Sequence, residues 1–201
     1  MSINLQKGQR ISLEKDDGTQ LNSFCVGANW GAIESRSFFG GIKKVSVDLD
    51  LSVGMFTKRK QLNNTVYFRN LRAKGIRHSG DDLIGDVYGD DGLDNEVMTI
   101  NLQDVPAHIE QLVFVLTSYK KQDFATIPFA SIRLYEGTQN RVNKIFATYN
   151  IASDPKFFGY VSMILGKLYR RGNDWRFSAI GEACRAKDLR GTLKVVEDRF
   201  L

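Results

Sequence analysis

The strongest constraint on this chain is a hydrophobic pattern with a period of two. Val45, Val47, Leu49, Leu51 and Val53 alternate with Ser46, Asp48, Asp50 and Ser52. Successive side chains of an extended backbone point to opposite faces, so this stretch has one apolar face and one polar face. The same alternation runs through Ile3 and Leu5, then Ile11 and Leu13, around a turn at Lys7-Gly8-Gln9. Residues 24–30, 65–68, 97–102, 111–119, 129–135 and 144–149 also read as strands, bounded by turn residues. Val105-Pro106-Ala107 reads as the opening of a helical turn. From Phe157 to Leu168 a helical stripe competes with alternation. The turn signal at residues 171–174 favours a hairpin over 160–180, entered by one helical turn at Asp154-Pro155. Residues 186–200, with few breakers, read as a short helix. Closely spaced short strands with few helices predict an all-β fold: a two-sheet β-sandwich, one domain over residues 1–201.

Composition narrows the function classes. No apolar run reaches the ~18 residues of a membrane span, and the alternating start of the chain is not a signal core, so the expected location is cytoplasmic. Cys25 and Cys184 lack metal-site spacing and read as buried thiols. The net charge of +5 invites a nucleic-acid reading. Its distribution argues otherwise, because seven of the 23 carboxylates fall within residues 81–96, which contain no Lys or Arg.

Those residues are Asp81, Asp82, Asp86, Asp90, Asp91, Asp94 and Glu96, with the amide of Asn95 among them. A solvated acidic loop is one reading of such a run. The other is a hard-cation site, since calcium takes six to eight oxygen ligands. Gly80, Gly85, Gly89 and Gly92 let the chain wrap and aim its carbonyls inward. Without Cys and with one nearby histidine, His78, the loop does not suit zinc, and a lone histidine reads as structural. The spacing is not that of an EF-hand. Upstream, Asp48 and Asp50 leave one strand on the same face. They are either two exposed strand residues or further ligands, and adjacent like charges favour the second reading.

At these residues the chain resembles the TerD family of tellurium-resistance and stress-response proteins. Val47-Asp48-Leu49-Asp50-Leu51-Ser52 resembles its Asp-Leu-Asp-Ala-Ser strand. The stretch from Gly80 to Glu96 resembles its acidic Gly-Asp-Asn-x-x-Gly motif, in the longer form of the TerZ branch at Gly89 to Glu96. Leu5 to Leu13, Val105-Pro106-Ala107, Leu168-Tyr169-Arg170 and Trp175-Arg176-Phe177 match further family positions. The departures are Leu51 in place of Ala, Tyr88 in place of Gly, and Gln122-Asp123-Phe124-Ala125 in place of Gly-Gln-Ser-Phe. The resemblance implies a non-enzymatic protein binding one or two calcium ions. The implied ligands come from Asp48, Asp50, Asp81, Asp82, Gly85, Asp86, Asp90, Asp91, Asp94, Asn95 and Glu96. The implied partners are other tellurium-resistance and stress-response proteins, including a TerC-like membrane protein, with membrane association only through them.

Two rival readings stand beside this. Asp48 and Asp50 with Asp81, Asp82 and Asp86 also resemble the motifs of magnesium-dependent aspartyl-nucleophile phosphatases. That fold needs strand–helix alternation, which the chain lacks. Lys58-Arg59-Lys60, Arg69, Arg72, Lys74 and Arg77, with Tyr67 and Phe68 among them, form a basic aromatic stretch suited to nucleic acid. The acidic loop that follows would repel phosphate.

Overall fold

Alternation of this kind buries one face of each strand, and two such faces close on each other. The computed structural model describes residues 2–15, 17–36, 40–150, 155–172 and 174–201. Along the chain the strands are β1 (Ile3–Asn4), β2 (Arg10–Ser12), β3 (Ser23–Trp30), β4 (Ile33–Arg36), β5 (Ile42–Val45), β6 (Leu49–Thr57), β7 (Leu62–Val66) and β8 (Arg72–Ala73). They continue with β9 (Ile76–His78), β10 (Glu96–Asn101), β11 (Ile109–Ser118), β12 (Ala130–Thr138), β13 (Arg141–Asn150), β14 (Ser162–Arg171) and β15 (Asp174–Cys184). Among the described residues the one α-helix is α1 (Leu189–Arg199), which follows β15. A seven-stranded sheet runs β1-β13-β12-β3-β10-β9-β8, and a six-stranded sheet runs β2-β15-β14-β11-β6-β7. The expected all-β sandwich is what forms.

The inward faces interlock as the alternation requires. Val26 and Ala28 on β3, Met98 and Ile100 on β10, and Ile132 and Leu134 on β12 meet Leu51, Val53 and Met55 on β6 and Phe114 and Leu116 on β11, all buried in one core. Each large apolar side chain buried this way contributes roughly 1.5–3 kcal/mol. The hairpin reading of residues 160–180 holds, because β14 and β15 pair from Ser162 to Cys184. A single 3-10 turn, Pro155–Phe157, precedes it; Asp154 and the turn residue Asn173 lie outside the described residues. Both cysteines are buried free thiols.

The helix covers the outer face of the six-stranded sheet. Leu193 and Val196 pack on Phe56, Val113, Val115 and Ile164 in a second small core. Asp188 caps α1, its Oδ1 accepting the Gly191 N–H at 2.8 Å. At the other end, Lys167 Nζ donates to the Phe200 carbonyl at 2.5 Å, a cation where the helix dipole favours one. β7, the last strand of this sheet, offers the Leu62 N–H to Glu197 Oε1 at 3.1 Å.

Two expectations fail locally. The stretch from Val45 to Val53 is not one strand: β5 pairs with β4 in a separate two-stranded ribbon, and β6 begins at Leu49. Between them, side chains and a loop carbonyl replace the ladder. Gln122 Nε2 donates to Ser46 O at 2.7 Å, Asp48 N–H donates to Gln122 Oε1 at 3.3 Å, and Val47 N–H donates to Ile84 O at 3.2 Å. Val105-Pro106-Ala107 forms a turn closed by the Ile109 N–H on Pro106 O at 2.9 Å and does not start a helix.

Candidate metal centre

Residues 79–95 leave β9 and enter β10, so the acidic loop lies at one end of the sandwich, beside the start of β6. Trp30 and β3 hold its middle. Asp86 N–H donates to Trp30 O at 3.0 Å, and Trp30 N–H donates to Asn95 Oδ1 at 2.7 Å. Gly85 passes over the Trp30 ring with φ of 65°, and a Cβ there would lie 2.6 Å from Trp30 Cδ1. Both the left-handed backbone and the missing side chain are needed at that position.

The first cluster joins the strand motif to the loop. Asp48, Asp50 and Asp81 bring three carboxylate oxygens within 4.8 Å of one another. Two oxygens on opposite sides of a calcium ion stand about 5 Å apart, given Ca–O distances of about 2.3–2.6 Å. Asp48 and Asp50 are buried, at 2% and 5% exposure, so they are not the exposed pair that a plain strand would carry. Asp48 Oδ1 is buried without a hydrogen-bond partner, while Asp48 Oδ2 has Lys120 Nζ at 3.5 Å. Burial, then the charges of Glu96, Asp48 and Asp81, push Asp50 up to about 7. Burial also raises Asp48, against the pull of Lys120. An oxygen-only donor set with an unpaired buried carboxylate oxygen fits a hard cation.

The second cluster is more open. Asp86, Asp90 and Asp91 also converge within 4.8 Å. Asn95 Nδ2 donates to Asp86 Oδ1 at 3.0 Å, and Asp86 Oδ2 is buried without a partner. Asn29 Nδ2 and Gly92 N–H both donate to Asp90 Oδ1, at 3.1 and 2.8 Å. Asp91 Oδ1 accepts the Leu93 N–H at 2.9 Å.

The remaining residues of the motif are held by protein groups. Asp82 Oδ1 accepts the Ile84 and Gly85 N–H groups at 2.9 and 2.8 Å, so it shapes the turn. Asp94 pairs with Arg133 at 2.7 Å, and burial, outweighing Arg133, still raises it to about 6. Gly27 makes room for it, since a Cβ there would lie 2.0 Å from Asp94 Oδ2. Asn95 braces Trp30 and Asp86. Glu96 is fully buried, with Oε2 on the Leu51 N–H at 2.7 Å and Oε1 on the Asp82 N–H at 3.2 Å. Burial pushes its carboxyl up, while hydrogen bonds from His78, Leu51 and Asp82 pull it back. Gly80 N–H donates to His78 Nδ1 at 3.0 Å, which makes that nitrogen the bare one. The imidazole Nε2–H faces Leu51 O at 3.0 Å.

A TerD-domain family model matches residues 1–194. The chain belongs to the TerD family. Stress response protein SCP2 of Bacillus subtilis (strain 168) is 36% identical over 197 residues, covering 90% of this chain and 92% of that protein. Tellurium resistance protein TerZ of Serratia marcescens is 29% identical over 191 residues, covering 93% of each. The crystal structure of a homologue of telluride resistance protein (TerD), SCO6318 from Streptomyces coelicolor A3(2), superposes with a TM-score of 0.61 at 14% identity, over 83% of this chain and 92% of that one, and shows the shared fold. Among the described residues, no helix is long and apolar enough to cross a membrane.

In this TerD-family chain the acidic motif and the strand pair were readable from sequence, but their braces were not. Asn29 and Trp30 on β3, Lys120 and Gln122 in the segment after β11, and Arg133 on β12 each touch a motif residue. None stands in an acidic run that would mark it, although Asn29 and Trp30 lie between Gly27 and Gly31. Gln122 had one signal, as part of the segment that departs from the family pattern.

Proposed function

We propose that this protein is a non-enzymatic calcium-binding member of the tellurium-resistance and stress-response system. The observation that carries the reading is the meeting of Asp48, Asp50 and Asp81, with Asp48 Oδ1 buried and unpaired. Asp86, Asp90 and Asp91 form a second, more exposed candidate, so one or two ions are accommodated. Asp48, Asp50 and Asp81 would hold calcium, which would supply the charge that offsets their mutual repulsion. This chain's own residues do the rest: Glu96, Asn95 and Arg133 hold the loop, and Gln122 holds Asp48. The relatives' names, which refer to stress response and tellurium resistance, support the physiological setting. Its partners on this reading are other proteins of that response, including a TerC-like membrane protein, and its location is the cytoplasm.

The surroundings of Asp48 favour a binder over a phosphatase. Asp48 precedes β6, which is antiparallel to both of its neighbours, β11 and β7, rather than ending a parallel strand beside helices. The deciding experiment is calorimetric titration with calcium, with magnesium as competitor and a phosphomonoester assay alongside. Calcium binding without turnover is expected. Absence of calcium binding, or turnover that vanishes in Asp48→Asn, overturns the reading.

A further inference from the structure

A cavity of about 370 Å³ adjoins the first acidic cluster at the N-terminal end of α1. That volume lies at the lower end of small-molecule sites, about 300–1,000 Å³. Its aromatic wall is Tyr67, Phe68 and Tyr119, packed edge to face with ring centres 5.5 and 5.9 Å apart. Such a wall offers ring faces and edges for a flat group.

Three cations, Arg69, Lys121 and Arg190, outnumber the one rim carboxylate, Asp188, whose Oδ1 is taken up in capping α1. Among the described residues, Arg69 and Arg190 pair with no carboxylate, and Lys121 Nζ donates to the Lys187 carbonyl. Arg190 lies in the first turn of α1, where the helix dipole disfavours a cation and favours an anion. Arginine forks match the oxygens of a phosphate. Deeper in, Ser52 and Ser118 line the cavity with hydroxyls that are buried and lack a hydrogen-bond partner, an arrangement that is costly unless a polar group arrives.

Asp50 belongs to both the cavity and the first cluster. Its carboxylate repels an entering anion unless a cation is held beside it. With Asp48, Asp50 and Asp81 neutralised, the same corner turns attractive, and a hard cation there can share a phosphate oxygen.

We propose that this cavity binds a small phosphate monoester carried on a flat ring, and that the cation site at Asp48, Asp50 and Asp81 must be filled for it to bind. The dependence on a cation rests on the calcium reading given above. Linkage then runs both ways: the ester raises calcium affinity by the factor by which calcium raises ester affinity.

Phenyl phosphate serves as the probe, titrated calorimetrically into the full chain in excess calcium and in chelator, with phenol as the ring without its anion. Binding is expected with calcium. It weakens about tenfold or more in chelator, and phenol does not bind. The exposed pair R69Q/R190Q weakens phenyl phosphate about tenfold or more, the scale for lost charge-assisted hydrogen bonds. Its calcium affinity, measured without the ester, does not weaken, which shows that the fold and the cation site are intact. Calcium binding without ester binding overturns this proposal alone. So does equal ester affinity in the wild type and R69Q/R190Q, or equal affinity with and without calcium. Failure of calcium itself to bind overturns the calcium reading, and the proposal with it.

Discussion

Glu96 reaches from one sheet to the other to accept the Leu51 backbone N–H at 2.7 Å. β7 pairs with β6 only from Val53 to Phe56, so Leu51 has no strand neighbour on that side. Glu96 takes its N–H, and His78 Nε2 takes its carbonyl at 3.0 Å. Two side chains from the seven-stranded sheet therefore stand in for a strand and tie the acidic loop to the segment bearing Asp48 and Asp50.

Removing that tie is costly. Glu96→Ala leaves the buried N–H of Leu51 and the half-buried N–H of Asp82 unpaired. The expected loss is about 2–4 kcal/mol, reduced by the relief of a buried charge. Urea unfolding measures it, with the exposed Lys58→Gln as a control that leaves the midpoint unchanged. Calcium affinity should fall as well, because Asp82 and the turn it shapes come loose. A Glu96→Ala midpoint equal to that of the control would show that the bridge contributes nothing.

Lys120 competes for Asp48. Its ammonium lies 3.5 Å from Asp48 Oδ2 and is about half exposed. Lys120→Met should therefore tighten calcium binding about two- to fivefold, within the range for partly exposed ion pairs. Calorimetry at low salt checks this, and weaker binding in the variant would rule out competition.

The pH dependence follows from Asp50. Its carboxyl sits at about 7 in the folded chain, against 3.8 as the ordinary value. Between those values the folded state holds a proton that the unfolded state has lost, so stability without metal falls as pH rises from about 4 to about 7. Asp94, at about 6, acts in the same direction. Calcium needs Asp50 ionised, so calcium affinity rises over the same window. Thermal melts in chelator and in calcium should thus diverge with rising pH, and parallel curves would contradict the assignment.

Arg133 is the partner of a fully buried carboxylate. Arg133→Ala should cost about 3–5 kcal/mol near neutral pH, because it strands Asp94. The cost should shrink at pH 5, where Asp94 takes up a proton. The pair Asp94→Asn with Arg133→Met should be more stable than Arg133→Ala alone. A strictly additive double variant, read by urea unfolding, would show that the two do not couple.

Much of the architecture was legible because it is local. Alternation marks β6 and the β14–β15 hairpin, a short apolar run marks β11, and a segment with few breakers marks α1. The break between β5 and β6 was hidden because Gln122, far along the chain, holds it open. The loop's carboxylates were legible as a group, but not their division. Asp82, Asp94, Asn95 and Glu96 take bracing roles because Ile84, Arg133, Trp30 and Leu51 sit where they do, and those positions come from the packing of two sheets rather than from spacing in the loop.

The contact between Glu197 and Leu62 has a consequence for how copies of this chain behave toward each other. β7 is the free margin of its sheet, and an unpaired row of backbone groups invites another chain to dock as an extra strand. The helix carboxylate already holds the Leu62 N–H, and it brings a negative charge to that border. α1 is therefore a guard rail as well as a lid at this point, because the donor that an incoming strand would need at Leu62 is already taken.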